Sequence, residues 1–125
     1  AEFHGRLYGL WIPSKKEGAI AGYNAVNHEK TFNEDPPSAR LKVLGIDLLS
    51  VGQITLQEGD KVLAQQTNGN YASFVFHEGK LVGAILLGDT SLAVLVQNAV
   101  DAHQDFSQAL AQGITTAEFM QLLRK

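Results

Sequence analysis

Cysteine is absent from this 125-residue sequence, which also contains only one methionine, one tryptophan and three prolines. Without cysteine, these residues can form no disulfide framework, no thiolate metal site, no cysteine-held iron–sulfur cluster and no redox-active dithiol. A cysteine-free chain can function in any compartment, so the composition by itself leaves the compartment open. What the absence excludes is redox or metal chemistry carried by cysteine.

An excess of basic residues is also lacking, since ten Lys and Arg stand against thirteen Asp and Glu, for a net charge of −3. This balance argues against a general nucleic-acid binder and against a polybasic membrane-surface protein. No apolar run reaches the roughly 20 residues of a membrane span, because glycine and polar residues interrupt the richest one, 81–96. We therefore expect neither a nucleic-acid partner nor a membrane partner.

The first zone of the chain, residues 1–35, predicts a Gly- and aromatic-rich loop at 5–9 and a helix over about 13–27. Pro13 suits the first turn of a helix, where its missing N–H costs nothing. Gly18 and Gly22 share one helix face, although glycine in a helix interior costs about 1 kcal/mol relative to alanine. This pattern indicates either a weak helix or, as neighbouring alanines favour, a surface for close packing.

The rest of the chain follows a linker at 32–38, where paired prolines enforce an extended path. Residues 39–90 predict an antiparallel sheet of about four or five strands, with a strand-like alternation at Ile54 and Leu56 and a central strand at 81–87 covered on both faces. Helices are expected at about 92–100, at about 104–111 and from about 115 onward. Strands followed by helices predict an α+β domain.

Residue types alone point to no catalytic residue and no metal site. The four histidines share no metal-ligand spacing and are interpreted as exposed polar residues: His4, His28, His77 and His103. Asp89 precedes a predicted helix, where capping is a better interpretation than anion binding. Trp11, near Tyr8, is equally compatible with stacking on a flat ligand and with filling a core.

The order of motifs nevertheless resembles a known family. Residues 1–11, with Glu17, Gly18 and the small residues that follow, resemble the last FAD-contacting segment of FAD-dependent pyridine nucleotide oxidoreductases. The similarity is to the NADH:rubredoxin reductases and the flavin portion of nitrite reductases in particular. Residues 41–52 and 80–90 look like the opening strands, hairpin strand and helix entry of that family's C-terminal domain.

The resemblance implies a fragment, in which residues 1–35 are the tail of an FAD-binding domain and residues 36–125 are the reductase C-terminal domain. The family's flavin-binding Gly-Asp pair would stand directly before Ala1, and the chain opens without methionine. In the intact enzyme, the backbone at Leu10, Trp11 and Ile12 would approach the pyrimidine edge of FAD. By itself, the segment is expected to retain neither FAD nor NADH and to catalyse nothing.

The same resemblance implies the remaining partners. These are the FAD and NADH domains of a cytoplasmic flavoenzyme, and an electron-acceptor protein. If the first helix lacks its packing surface, we also expect the segment to form a homodimer or a swapped dimer. The family usually places proline directly after the Trp11 position, whereas Ile12 stands between Trp11 and Pro13 here. The resemblance therefore assigns the flavin-contacting residues only to within about one residue along the chain. The alternative interpretation is a free-standing, non-catalytic binding or oligomerisation module.

Overall fold

The computed structural model describes residues 2–3, 6–7, 9–33 and 38–125. The chain divides into two compact units, Ala1–Pro37 and Ser38–Lys125, which are described separately below. Several predicted features lie outside the described residues: His4, Gly5, Tyr8 and the linker residues 34–37. The assignment of residues 1–35 to an FAD-binding domain therefore stays a prediction.

The first unit contains two short paired strands and one helix. Strand β1 (Glu2–Phe3) pairs antiparallel with β2 (Arg6–Leu7), where the sequence predicts only a loop. Helix α1 spans Trp11–Ala25 and begins two residues before the predicted start. Pro13 is thus the third helical residue, and its missing N–H costs nothing there either, because the N–H groups of the whole first turn lack intrahelical acceptors.

The C-terminal end of α1 is fixed by backbone and side-chain contacts. Asn27 adopts a left-handed φ of 61°, and the His28 N–H donates to the Tyr23 carbonyl at 3.0 Å, the pattern of a Schellman motif. The Asn24 side chain then binds both backbone polar groups of Lys30, whose Nζ lies 3.7 Å from the centre of the Tyr23 ring. These contacts end the helix at Ala25, two residues before the predicted end.

The second unit is built on a five-stranded antiparallel sheet with the spatial order β3-β4-β7-β6-β5. The prediction of an antiparallel sheet of four or five strands is confirmed, and the apolar segment 81–87 does form the central strand. The strands are β3 (Ser38–Val43), β4 (Ile46–Gly52), β5 (Lys61–Thr67), β6 (Asn70–His77) and β7 (Lys80–Leu87).

Three tight hairpins connect these strands. Their central pairs, 44–45, 68–69 and 78–79, each place two consecutive residues at positive φ, which is typical of the type I′ turn. The twist of this turn matches that of the strands it joins, and Asn and Gly adopt its conformation readily. The turn signals at 67–70 and 78–80 therefore predicted two of the hairpins correctly.

A loop at residues 53–60 replaces the strand-like segment predicted around Ile54 and Leu56. Gly52 ends β4 with a positive φ of 69°, and a Cβ at this position would overlap the Val82 carbonyl oxygen. The chain therefore turns away from the sheet after Gly52. The alternation of Ile54 and Leu56 with polar residues reflects an exposed loop.

Three helices pack on one face of the sheet and complete an α+β fold. They are α2 (Ala93–Asp101), α3 (Ser107–Ala111) and α4 (Thr116–Leu122), the last with the predicted Thr115 cap in a capping box with Glu118. Within the second unit, helices cover one face of β7, so the prediction of a strand covered on both faces is wrong for this unit: Ile85 and Leu87, on the other face, stay half-buried.

The core lies between the sheet and these helices. Its centre is a group of edge-to-face aromatic rings with centroids 4.9–6.2 Å apart, an arrangement favoured by the ring quadrupole: Phe74, Phe76, Phe106 and Phe119. Aliphatic residues of β4, β7 and α2 surround this group. The second unit thus has a hydrophobic core of its own.

Candidate functional site

The N-terminus of α1 carries the three residues predicted to approach flavin. Leu10 is the N-cap, with an extended backbone (φ −111°, ψ 148°), and Trp11 and Ile12 are the first two helical residues. The first hydrogen bond of the helix runs from the Ser14 N–H to the Leu10 carbonyl at 3.1 Å. Since Pro13 has no N–H, Trp11 and Ile12 supply the helix's unused backbone donors.

The electrostatics of this helix end favour an electron-rich partner. No acidic residue occupies the first turn of α1, and Lys15 and Lys16 follow in the sequence. The aligned peptide dipoles place partial positive charge at the N-terminus, which stabilises an anion or a carbonyl oxygen there. A flavin carbonyl edge therefore fits these donors chemically.

The side chains at this helix end are exposed in the chain. Trp11 is 81% exposed and Ile12 is 61% exposed, whereas Leu10 is half-buried. The core-filling interpretation of Trp11 is therefore wrong for this chain. The structure does bring the three predicted residues together at one helix end, and their flavin contact stays a prediction.

A second polar cluster, at Asp60, was missed by sequence reasoning. The Asp60 side chain is only 1% exposed, and its Oδ1 lies 2.8 Å from Nδ1 of His77. Its Oδ2 accepts hydrogen bonds from the Gln53 side chain at 2.7 Å and from the Gln57 N–H at 2.8 Å. The prediction that His77 is merely an exposed residue is therefore wrong, since it is half-buried and paired.

The contacts around Asp60 hold a loop in place. The backbone hydrogen bond from Gln57 and the side-chain bond with His77 lower the pKa of Asp60 below its usual value of 3.8. The carboxylate joins both ends of the 53–60 loop to the end of β6. No nearby motif signals this pairing, because Asp60 and His77 come from separate segments and meet only after the sheet forms.

The other polar residues considered from the sequence do not form a functional site. His28 and His103 are exposed, as predicted. Asp89 does not cap α2, because its Oδ1 accepts from the Ser91 N–H at 2.9 Å and Leu92 occupies the N-cap position. Across the described ranges, no three His, Asp or Glu side chains are grouped to hold a metal ion. Over the same residues, no helix has the length and hydropathy to cross a membrane.

A depression of about 770 Å³ lies among the three helices of the second unit. Its lining is mainly apolar and amide side chains, including Leu95, Gln108 and Leu122. The acidic residue Asp105 at its rim already accepts a hydrogen bond from the Ser107 N–H at 2.7 Å. The depression therefore offers no group poised for acid–base chemistry.

Comparison with known proteins relates this architecture to rubredoxin and nitrite reductases. The family model described as the rubredoxin NAD+ reductase C-terminal domain matches residues 37–104. The NADH-rubredoxin oxidoreductase of Clostridium acetobutylicum is 34% identical over 106 residues, covering 85% of this chain and 28% of that protein. The large subunit of nitrite reductase (NADH) of Escherichia coli is 31% identical over 114 residues, covering 84% of this chain and 14% of that protein.

A solved structure shows the same fold. The crystal structure of NADH:rubredoxin oxidoreductase from Clostridium acetobutylicum superimposes with a TM-score of 0.69 at 30% identity, covering 90% of this chain and 31% of that one. The chain therefore spans less than a third of the proteins it matches. The resemblance to the C-terminal region of NADH:rubredoxin and nitrite reductases, predicted from the motifs, is confirmed.

Proposed function

Since this chain belongs to the family of rubredoxin NAD+ reductase C-terminal domains, we propose that it is the C-terminal portion of an FAD-dependent NAD(P)H oxidoreductase. In this proposal, residues 1–35 complete the FAD-binding domain, and residues 36–125 form the domain that covers the flavin and shapes the acceptor or subunit surface. The observation that carries the proposal is the match of 85% of this chain to 28% of an NADH-rubredoxin oxidoreductase. The enzyme is cytoplasmic, as the family resemblance implies.

When bound in the intact enzyme, FAD would supply the redox chemistry that links NAD(P)H to an electron acceptor. The residues of this chain would contribute binding and orientation. The N–H groups of Trp11 and Ile12, at the positive end of the α1 dipole, would donate to a carbonyl oxygen on the pyrimidine edge of the flavin. Donors aimed at the site where negative charge develops stabilise that charge more than mobile water does. Leu10 directs the chain into the helix and orients both donors.

The enzyme proposal is tested on the intact polypeptide that carries this domain. We expect it to purify with bound flavin, to show flavin absorbance that bleaches on addition of NADH, and to pass electrons to rubredoxin or a dye. The 125-residue chain, mixed with FAD, should leave flavin fluorescence unchanged. Stoichiometric FAD binding by the short chain, or an intact polypeptide without flavin, would instead favour the free-standing binding module.

The backbone donors are tested by two substitutions at one position of the intact enzyme. Trp11→Pro removes the N–H, and the helix tolerates it because proline is favoured at the first helical position and the extended Leu10 suits a residue before proline. Trp11→Ala removes the indole but keeps the N–H. We expect Trp11→Pro to bind FAD roughly tenfold more weakly than Trp11→Ala, as befits one lost hydrogen bond of about 1.5 kcal/mol.

The measurement is flavin release followed by fluorescence, with circular dichroism to check that α1 remains helical. Equal FAD affinity of the two variants would show that the Trp11 N–H does not contact the cofactor. A loss shared equally by both variants would assign the contact to the indole ring.

A further inference from the structure

The face of the sheet opposite the helices has an unusual composition. Strand alternation and register place one set of side chains on this surface, which we call the outer face: Ala39, Leu41, Val43, Ile46, Leu48, Ser50, Val62, Ala64, Gln66, Tyr71, Ser73, Val75, Ile85 and Leu87. None of these side chains is charged. A sheet that faces water normally alternates apolar and polar residues, with the polar ones outward.

The register makes this surface continuous. One row of neighbours runs across all five strands through Leu41, Leu48, Leu87, Tyr71 and Gln66. The next row runs from Ala39 to Ala64, with Ile85 on the central strand and small side chains on either side of it. The outer face is therefore uneven, and the side chains of another protein surface can interdigitate with it.

Most charged residues of the same strands lie on the opposite face; the exception is Lys80, which pairs with His77 at the end of β7 on the outer side. Arg40 pairs in register with the core residue Leu49, and Lys61 pairs with Phe76. Lys42 and Asp47 are register partners that form an ion pair at 3.6 Å. The edges of the helix-covered face thus carry most of the charge, while the outer face carries charge only at one end, at Lys80.

The apolar residues at the edges of the outer face are substantially exposed. Leu41 is 55% exposed, Ile46 is 54% exposed, Val43 is 48% exposed and Val62 is 40% exposed. Large contiguous apolar patches are rare on monomeric soluble proteins and mark interaction sites. These residues lie at the two edges of the sheet, whereas Val75 and Ser73 at the centre of the same face are already buried within the chain. The free apolar surface is therefore at the edges of the outer face.

The chemistry of the outer face distinguishes between kinds of partner. Transient electron-transfer contacts are small, and steering a protein acceptor relies on complementary charge. Permanent interfaces are larger and resemble a protein core cut in half, with charge depleted at the centre. The predominantly apolar outer face fits a permanent contact and offers little charge to steer a diffusing acceptor.

We propose that the outer face docks onto the dinucleotide-binding portion of the same flavoenzyme polypeptide; this rests on the proposed function. This chain accounts for 31% of the matched oxidoreductase structure, so the remainder of such an enzyme is always present beside the domain in equal amount. Docking buries the outer face and leaves the charged edge residues, such as Lys42, in water. The sheet thereby lies between two layers, its own helices and the rest of the enzyme.

Cysteine labelling tests this docking, because the chain contains no cysteine of its own. Leu41→Cys and Val62→Cys place thiols on the outer face, while Lys42→Cys and Gln65→Cys are matched controls on the same two strands but the opposite face. Each variant is made in the 125-residue chain and in the intact enzyme. N-ethylmaleimide incorporation is followed by mass spectrometry of the peptides from this domain.

In the 125-residue chain, we expect all four thiols to react readily. In the intact enzyme, the outer-face thiols should react at least about tenfold more slowly, as expected for sites that react only when the docked domain opens, while the controls stay reactive. Thermal unfolding of each variant, followed by circular dichroism, identifies any that are misfolded. Ile46→Cys replaces an outer-face variant that fails this check.

Three results would overturn the proposal. The first is equal reactivity of the outer-face thiols in the intact enzyme and the short chain. The second is concentration-dependent protection in the short chain itself, which would assign the face to a second copy. The third is protection that appears only when rubredoxin is added. An intact enzyme that lacks flavin would contradict the proposed function but not the docking, because the labelling pattern is measured independently of the cofactor.

Discussion

Helices α1 and α2 differ in how they are stabilised. α1 is the longer helix, with 15 residues, yet none of them is buried. α2 has nine residues, and four of them are buried against the sheet: Ala93, Val96, Ala99 and Val100. Helices of about 12–15 residues are marginal in water without tertiary packing. The comparison shows that α2 belongs to a completed core, whereas α1 buries no residue and is ended by the contacts at its C-terminus.

The largest expected effect contrasts a core ring with the exposed ring of α1. Phe119→Ala removes a fully buried side chain that contacts three other phenylalanine rings, and we expect a loss of about 3–5 kcal/mol in the free energy of unfolding. Trp11→Ala removes a larger ring that is 81% exposed, so its cost should be within about 0.5 kcal/mol. Urea denaturation of the 125-residue chain measures both.

Comparable losses for the two variants would show that Trp11 is packed in solution. They would also show that α1 shares in the stability of the second unit.

The next effect contrasts two glycines. A Cβ at Gly83, in the central strand, would overlap the Gln53 carbonyl oxygen, so Gly83→Ala should destabilise the second unit by about 3 kcal/mol. A Cβ at Gly18 meets nothing within 4 Å. Because alanine is the better helix former, Gly18→Ala should stabilise α1 by about 1 kcal/mol. Thermal unfolding reports the first change, and helical circular dichroism reports the second.

The Gly18→Ala substitution also tests, in the intact enzyme, whether α1 packs against the FAD domain. If the Gly18 face packs closely against the FAD domain, Gly18→Ala should weaken FAD binding there although it strengthens the helix in the short chain. Unchanged FAD affinity would favour the interpretation of α1 as an intrinsically weak helix.

The smallest effect is a pH dependence confined to the second unit. The hydrogen bonds to Asp60 lower its pKa in the folded state, so its contribution to stability is fully present above the unfolded-state pKa. It is lost as the pH falls through the lower, folded-state pKa. The stability difference between wild type and Asp60→Asn should therefore shrink as the pH falls below 3.8. A difference that is undiminished well below this pH would contradict the assignment.

Local patterns predicted much of the fold. Asn68–Gly69 and Glu78–Gly79 mark two hairpins because few residues adopt positive φ readily. The apolar run 81–87 is long enough to identify the central strand, and Thr115 with Glu118 forms a recognisable capping box. Each of these signals acts within a few residues, so the sequence contains the information needed.

Other features depend on contacts between distant segments. The start of α1 is one example. Proline is tolerated anywhere in the first turn of a helix, so the sequence predicts a start near Pro13 but does not distinguish a start at Pro13 from one at Trp11. The pairing of Asp60 with His77 needs the completed sheet. The flavin-contact residues were predicted from family resemblance, because the order of motifs in this sequence matches that of the family. The exposure of these residues and their position in the helix are visible only in the structure.

The three type I′ hairpins have a consequence for the order in which the domain assembles. Two of them join β5, β6 and β7 into a local meander, and hairpins form within about 1–10 μs. The third joins β3 to β4 but places Leu44 at a φ of 53°, a conformation that leucine adopts at a cost. The pairing of β4 with β7 brings Gly52 opposite Gly83 and closes the longest loop of the sheet. We expect this closure to limit the folding rate, with the meander as the surface on which the remaining strands assemble.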